Sequence, residues 1–277
     1  MSFEPQIDAN RANWDERVDG HLLAYDVDGF VADPTRLSSV VRADLDTIRP
    51  HLPHSSPAGL SLVHLQCHVG LDTLSWARLG AHVTGVDFSP KSVAAATDIA
   101  RRAQLRGRFV ESSIDHAAEL LGEQFDVVYT GIGALPWLPD LDRWARTIVD
   151  LLRPGGIFFI RDSHPILNAL DYDRTDDELV LRHPYFATGT PIRYDHGTTY
   201  ADPDINLGHA TTYEWPHSLA EILGSLLAAG LSVIAFDEHR TIPWPALPHL
   251  VRTPRGFVLP SGDERLPLTF SLTARKH

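Results

Sequence analysis

Two spacings of apolar residues alternate along most of this chain. Ser61 to Leu65, His82 to Val86, Arg108 to Glu111, Phe125 to Thr130 and Ile157 to Ile160 are short runs that predict strands. Between them apolar positions return every three or four residues, as on one helix face. Val93, Ala96, Ala100 and Ala103 form one such row, and Leu141, Trp144, Ala145, Ile148 and Leu152 another. Ser89-Pro90 starts the first helix, with Ser as N-cap and Pro in the first turn; Asp140 caps the second. Pro154-Gly155-Gly156 ends it. His217 to Ala229 carries Leu219, Ile222, Leu223, Leu226 and Leu227 on one face, Gly230 closes that helix, and Leu231 to Phe236 is a sixth strand. Leu266 to Ala274 is the last. Upstream, Ile7 to Tyr25 and Arg36 to Ile48 predict helices, and Arg49 to Gly59, with three prolines, a linker. Strands alternating with helices predict an α/β fold: a parallel sheet covered on both faces.

The densest chemistry lies in LVHLQCHVGLDTLSWARLGAHVTGVD, Leu62 to Asp87. A strand runs into a turn at Gln66 to Gly70, a helix begins, and the next strand ends on an acid. Such a turn lets backbone N–H groups face a ligand, and the acid can hold two ribose hydroxyls. Asp87 lies about 20 residues beyond the turn, as that plan requires.

In these residues the sequence resembles the class I S-adenosylmethionine (SAM)-dependent methyltransferases. Their loop reads roughly D/E-x-G-x-G-x-G; here only the last glycine, Gly70, is present, His64 stands at the acidic position, and Gln66 and His68 replace the first two glycines. LLRPGGIFFIRD resembles the family's L-x-P-G-G-hydrophobic passage, and the order of segments matches from about Asn13 to Lys276. The resemblance implies a Rossmann-like, doubly wound seven-stranded sheet whose last strand is antiparallel, between strands five and six. It divides the chain into N-terminal helical cover and linker (1–60), SAM-binding core (61–163), substrate cap inserted after strand five (164–216) and C-terminal completion of the core (217–277). It also implies cofactor contacts. Gln66, Cys67, His68 and Gly70 would meet the methionine carboxylate, Asp87 with Phe88 the ribose, Ser112, Ser113 and Ile114 the adenine, and Thr130 and Gly131 the methionine part.

Composition narrows the partners. With 277 residues and 43% hydrophobic content the chain is expected to pack a sizeable core. A net charge of −12 argues against nucleic acid, which binds through clustered cations. The single Cys67 cannot form an internal disulfide, in keeping with a reducing compartment. No apolar run approaches the roughly 18 residues of a membrane span, and MSFEPQID lacks the basic and apolar regions of a secretory signal. A cytoplasmic protein with a small-molecule substrate is expected, and whether two copies pair is left open. No metal is expected: His64 lies on a strand and His68 on a turn, and no carboxylate or further ligand completes a set.

The 164–216 stretch holds Tyr172, Tyr185, Phe186, Tyr194, Tyr200, Tyr213 and Trp215. A long loop of this kind is uncommon unless functional, and it is read as a cap over the strands' carboxyl ends. Aromatic walls favour an apolar or heteroaromatic guest, such as an indole-like alkaloid or an amine. Tyr25, Trp137, Tyr200, Trp215 and His217 are the expected substrate contacts. His164, in RDSHP after strand five, is the expected proton acceptor, because imidazole titrates near neutrality. Resemblance to small-molecule methyltransferases of secondary metabolism leaves N, O and C acceptors open. Two rivals remain: a non-catalytic SAM-binding or regulatory protein, suggested by the missing glycines, and an NAD-dependent oxidoreductase using Asp87 on an adenosine ribose.

Overall fold

The computed structural model describes residues 3–199 and 206–277. The chain opens with α1 (Glu4–Ala24), α2 (Val27–Ala32) and α3 (Ser39–Ile48), and two short 3-10 turns fill the proline-rich linker. The core then alternates β1 (Ser61–Leu65), α4 (Leu71–Arg78), β2 (His82–Asp87), α5 (Pro90–Arg102), β3 (Gly107–Glu111), α6 (Ile114–Leu121), β4 (Phe125–Thr130), α7 (Leu141–Leu151) and β5 (Leu152–Ser163). A one-turn helix α8 (Pro165–Asn168) and a hairpin of β6 (Ile192–Asp195) and β7 (Thr211–Glu214) lie in the inserted stretch. After it come α9 (Leu219–Ala228), β8 (Leu231–His239), a small hairpin of β9 (Val251–Thr253) and β10 (Gly256–Val258), and β11 (Thr269–Lys276).

The sheet order is β3-β2-β1-β4-β5-β11-β8. β11 runs antiparallel to both β5 and β8, and the other pairings are parallel. Period-two alternation builds two cores from the same strands. Val63, Leu65, Val128, Phe158 and Ile160 face α6, α7 and α9. Leu62, Val127, Tyr129, Ile157 and Phe159 face α3 and α4. In the second core the buried Tyr129 hydroxyl is satisfied by donating to buried Asp44 (2.6 Å), which also pairs with Arg161 (2.6 Å).

Local chemistry sets the helix limits. Ser89 accepts the Ser92 N–H at the start of α5, Asp140 accepts the Arg143 N–H at the start of α7, and Ser218 with Glu221 forms a capping box on α9. Three features differ from the sequence expectation. Leu152 belongs to β5 and not to the preceding helix. The ladder between β4 and β5 shifts register between Phe125 and Val127, and Pro154-Gly155-Gly156 is the excursion, with Gly155 at φ 80°. Helix α2 and the β9–β10 hairpin were not anticipated, being too short to set a period. No helix among the described residues is long and apolar enough to cross a membrane.

Candidate cofactor and acceptor sites

The turn after β1 adopts left-handed backbone at Gln66 (φ 59°), His68 (φ 47°) and Gly70 (φ 77°). These are the positions where the resemblance places glycines, so the loop keeps that conformation without two of them. A side chain in this region costs roughly 1–2 kcal/mol per residue. Specific bonds offset the cost. Gln66 Nε2 donates to the Ala134 carbonyl (3.0 Å), and the His68 ring meets Ser92 Oγ (3.0 Å) and His21 Nδ1 (2.8 Å). Gly70 has no such option. A Cβ there would lie 2.8 Å from both Ala96 Cβ and Phe109 Cε1.

The expectation that this loop aims its N–H groups at an anion needs correction. Cys67 N–H donates to the Val86 carbonyl (2.9 Å), Gly70 N–H to the Cys67 carbonyl (2.9 Å), and His68 N–H to Asp87 Oδ2 (2.8 Å). The turn thus spends these donors on its own closure.

Asp87, at the end of β2, is buried and also accepts the Ser89 N–H on Oδ1 (2.9 Å). Burial raises its pKa to about 6, and the two backbone donors pull the other way. Carboxylate oxygens have more than one acceptor direction each, so hydroxyl donors can still be received. Phe88 is half-buried beside it. Ser112 N–H donates to the Asp87 carbonyl (2.9 Å), which ties the β3 end to the β2 end; Ser113 Oγ pairs with His116 Nδ1 (3.0 Å), and Ile114 opens α6.

At the carboxyl ends of β1 and β4 three buried polar atoms have no partner among the described residues: His64 Nε2, Gln66 Oε1 and Thr130 Oγ1. His64 is held through Nδ1 to Thr73 Oγ1 (2.8 Å), and burial lowers its pKa to about 3, so the ring is neutral. A Cβ on Gly131 would stand 3.2 Å from His64 Nε2, so the glycine lets β4 approach this wall. Buried orphans of this kind cost about 1–3 kcal/mol each unless a ligand or water completes them. They fit the polar amino-acid end of a cofactor, next to the carboxylate that would take its ribose.

Helix α1 covers the loop. Trp14 packs edge-on against His68 (5.1 Å) and Trp137 (5.3 Å), Arg17 lies over the Trp14 ring (5.0 Å), and His21 Nε2 reaches Thr199 Oγ1 (2.8 Å). Tyr25 bonds His21 (3.3 Å) and faces His68, which puts it on the loop side and not in the acceptor cleft expected for it.

The loop after β4 is held by a residue missed in the sequence. Asp162, near the end of β5, accepts N–H groups from Gly133 (2.6 Å), Ala134 (3.1 Å), Leu135 (2.9 Å) and Ser163 (2.6 Å). Burial raises its pKa to about 6 against those four donors. Its signal was the acid two residues before His164 in RDSHP.

A cleft opens between this loop and the inserted stretch, lined by Pro136, Asn168, Tyr185, Tyr194, Glu214 and Trp215, with His217 at its edge. Trp215 N–H donates to the Pro136 carbonyl (2.7 Å) and His217 Nε2 to the Leu138 carbonyl (2.8 Å), so β7 is fastened to the post-β4 loop. Asn10 exchanges two bonds with the Tyr213 backbone (2.8 and 2.7 Å), fastening β7 to α1 as well. Trp215 and His217 therefore meet at the cleft, Trp137 packs against Trp14, and Tyr200 lies outside the described residues.

His164 is corrected by its bonds. Nδ1 accepts the Ile166 N–H (3.1 Å), which leaves the ring proton on Nε2, 3.0 Å from Glu238 Oε1. Burial lowers its pKa while Glu238 raises it. Both nitrogens are committed, and the ring works as the N-cap of α8.

A methyltransferase-domain family profile matches residues 63–158, the span holding the loop, Asp87 and the Pro-Gly-Gly strand. Residues 63–158 are thus similar to the methyltransferase domain of the class I SAM-dependent methyltransferases. SAM is the cofactor of that class. The chain is 35% identical over 127 residues to the ubiquinone biosynthesis O-methyltransferase of Caulobacter vibrioides, an alignment covering 45% of this chain and 49% of that protein. The chain thus spans about half the length of the curated relatives it matches. Among solved structures it resembles a SAM-dependent methyltransferase from Mesorhizobium loti (TM-score 0.57, 20% identity, 83% of this chain and 96% of that one). It also resembles the glycopeptide N-methyltransferase MtfA complexed with SAM (TM-score 0.52, 16% identity, 87% and 95%). Both likenesses concern the fold.

Proposed function

We propose that this methyltransferase transfers the methyl group of SAM to a small aromatic acceptor, at a ring hydroxyl, in the cleft beside β7. The observation that carries this reading is the adjacency of two sites at one loop. The His64 and Gln66 side chains, each with an unpartnered atom, meet the loop after β4 at Gly131 and Ala134, Thr130 leads into it, and Pro136 of the same loop lines the aromatic cleft. SAM, when bound, supplies an electrophilic methyl on a sulfonium sulfur. Asp87 would hold the ribose hydroxyls, and Thr130 and Gln66 the amino-acid end, while Asp162 keeps the loop between donor and acceptor fixed. Such positioning can supply much of the rate of a displacement.

The hydroxyl acceptor is favoured over the indole-like or amine acceptor expected from the sequence because the curated relative named above is an O-methyltransferase. The family match also leaves the NAD-linked and non-catalytic readings without support. Calorimetry with SAM, S-adenosylhomocysteine and NAD, joined to a methyl-transfer screen over phenols and amines, tests the proposal. Binding of S-adenosylhomocysteine with transfer to phenols is expected. Binding of NAD and not S-adenosylhomocysteine would refute it.

A further inference from the structure

Glu214 is the last residue of β7 and a wall of the acceptor cleft. Its carboxylate forms no hydrogen bond or ion pair with any described residue, although the strand that carries it is fastened on three sides. Ile192 pairs with it across the hairpin, Asn10 grips the residue before it, and the Pro136 carbonyl takes the N–H of the residue after it. A carboxylate held rigidly in a poorly solvated aromatic cleft is costly unless a ligand supplies its partner. The fastening to Pro136 sets the end of β7 against the loop after β4, the same loop that His64 and Gln66 meet at Gly131 and Ala134.

We propose that Glu214 is the catalytic residue that takes the proton from the acceptor hydroxyl. This rests on the methyl-transfer reading above and names the base that His164, with both nitrogens committed, does not provide. The O–H proton passes to a Glu214 oxygen as the acceptor oxygen forms its bond to the methyl carbon. The electron pair of the breaking C–S bond stays on sulfur, giving a neutral thioether, and the protonated Glu214 then returns its proton to solvent. The surroundings suit a base working near neutrality. Burial raises the Glu214 pKa to about 7, and Arg17 on α1 pulls it back. Tyr194 on β6 and Tyr172 in the stretch after α8 face the same carboxylate; both have pKa values raised by burial and by Glu214, so they stay neutral. His217, across the cleft, has its pKa lowered by burial and its Nε2–H committed to Leu138.

The test compares wild type, Glu214→Gln and Glu214→Asp in three measurements. These are S-adenosylhomocysteine calorimetry, transfer of labelled methyl from SAM to catechol, 3,4-dihydroxybenzoate and the matching ring amines, and the pH profile of kcat/KM. S-adenosylhomocysteine affinity should stay within threefold in both variants. Transfer to phenols should fall by about 10²–10³ in Glu214→Gln, with partial return in Glu214→Asp. Wild-type kcat/KM should rise tenfold per pH unit below about 7 and then level. Glu214→Gln should lose that inflection and follow the ionisation of the phenol itself. Phenol transfer and an inflection near 7 that survive in folded Glu214→Gln would overturn the assignment. So would transfer confined to amines, or no transfer to any phenol by a protein that binds S-adenosylhomocysteine. Failure to bind S-adenosylhomocysteine would instead overturn the methyltransferase reading beneath it.

Discussion

Replacing Asp87 with asparagine isolates the charge that the cofactor reading depends on. In the folded protein Oδ1 and Oδ2 each accept a backbone N–H, from Ser89 and His68. The amide of asparagine must turn its NH2 toward one of them, leaving one buried N–H unpaired at about 1–3 kcal/mol. Removing the buried charge works in the opposite direction. Raising the carboxyl from 3.8 to about 6 corresponds to roughly 3 kcal/mol of unfavourable burial near neutral pH. The two terms nearly cancel, so the variant should fold with a Tm within several degrees of wild type. Binding should behave otherwise, because two charge-assisted hydroxyl bonds weaken to neutral ones. A loss of about 1.5–3 kcal/mol, some 10- to 150-fold in Kd for S-adenosylhomocysteine, is expected. The pH dependence has a definite sign. A raised carboxyl pKa means that the free protein draws stability from the protonated form below about pH 4 and loses it as pH rises through 6. Bound hydroxyls favour the charged form, so affinity should increase with pH up to about 6 and then level, by at most tenfold per unit. Calorimetry between pH 5 and 8 on both proteins reads this directly. A folded Asp87→Asn protein with wild-type affinity, or a wild-type affinity that is flat from pH 5 to 8, would refute the reasoning.

Three other outcomes follow from the same bonds. His164→Ala removes a helix cap worth about 0.5–2 kcal/mol and should lower the Tm while leaving turnover within a few-fold, measured by calorimetric unfolding and by initial rates. Asp162→Ala orphans four backbone donors, so it should cost at least about 3 kcal/mol in denaturant unfolding and reduce transfer by disordering residues 131–135. Asn10→Ala cuts both bonds to Tyr213; about 2 kcal/mol of stability should go, and limited proteolysis should accelerate within 164–216.

Spacing alone carried the core of this protein. Strand β4 lies where FDVVYT predicts it, α5 and α7 begin directly after the Ser and Asp caps read for them, α9 lies within the apolar-faced stretch read from His217 to Ala229, and Asp87 falls at the tip of β2. Each of these is a local property, fixed by periodicity and by a side chain bonding its own backbone two or three residues away. The antiparallel last strand came from the resemblance, since no residue in Leu266 to Ala274 states its direction. Tertiary structure decided what local pattern does not encode. Gln66 and His68 hold glycine-like backbone because Ala134, Ser92 and His21 meet their side chains, partners 24 to 68 residues away for all but the turn itself. The same long-range pairing turned the loop's N–H groups inward on Asp87, gave His164 to Ile166 and Glu238, and made Asp162 the clasp of the loop after β4. Glu214 was silent in the sequence, an acid between two aromatics, until α1 and Pro136 fastened β7 beside the cleft. A side chain's chemistry depends on which groups surround it, and in a sheet wound from distant segments those groups come from residues the local pattern never relates.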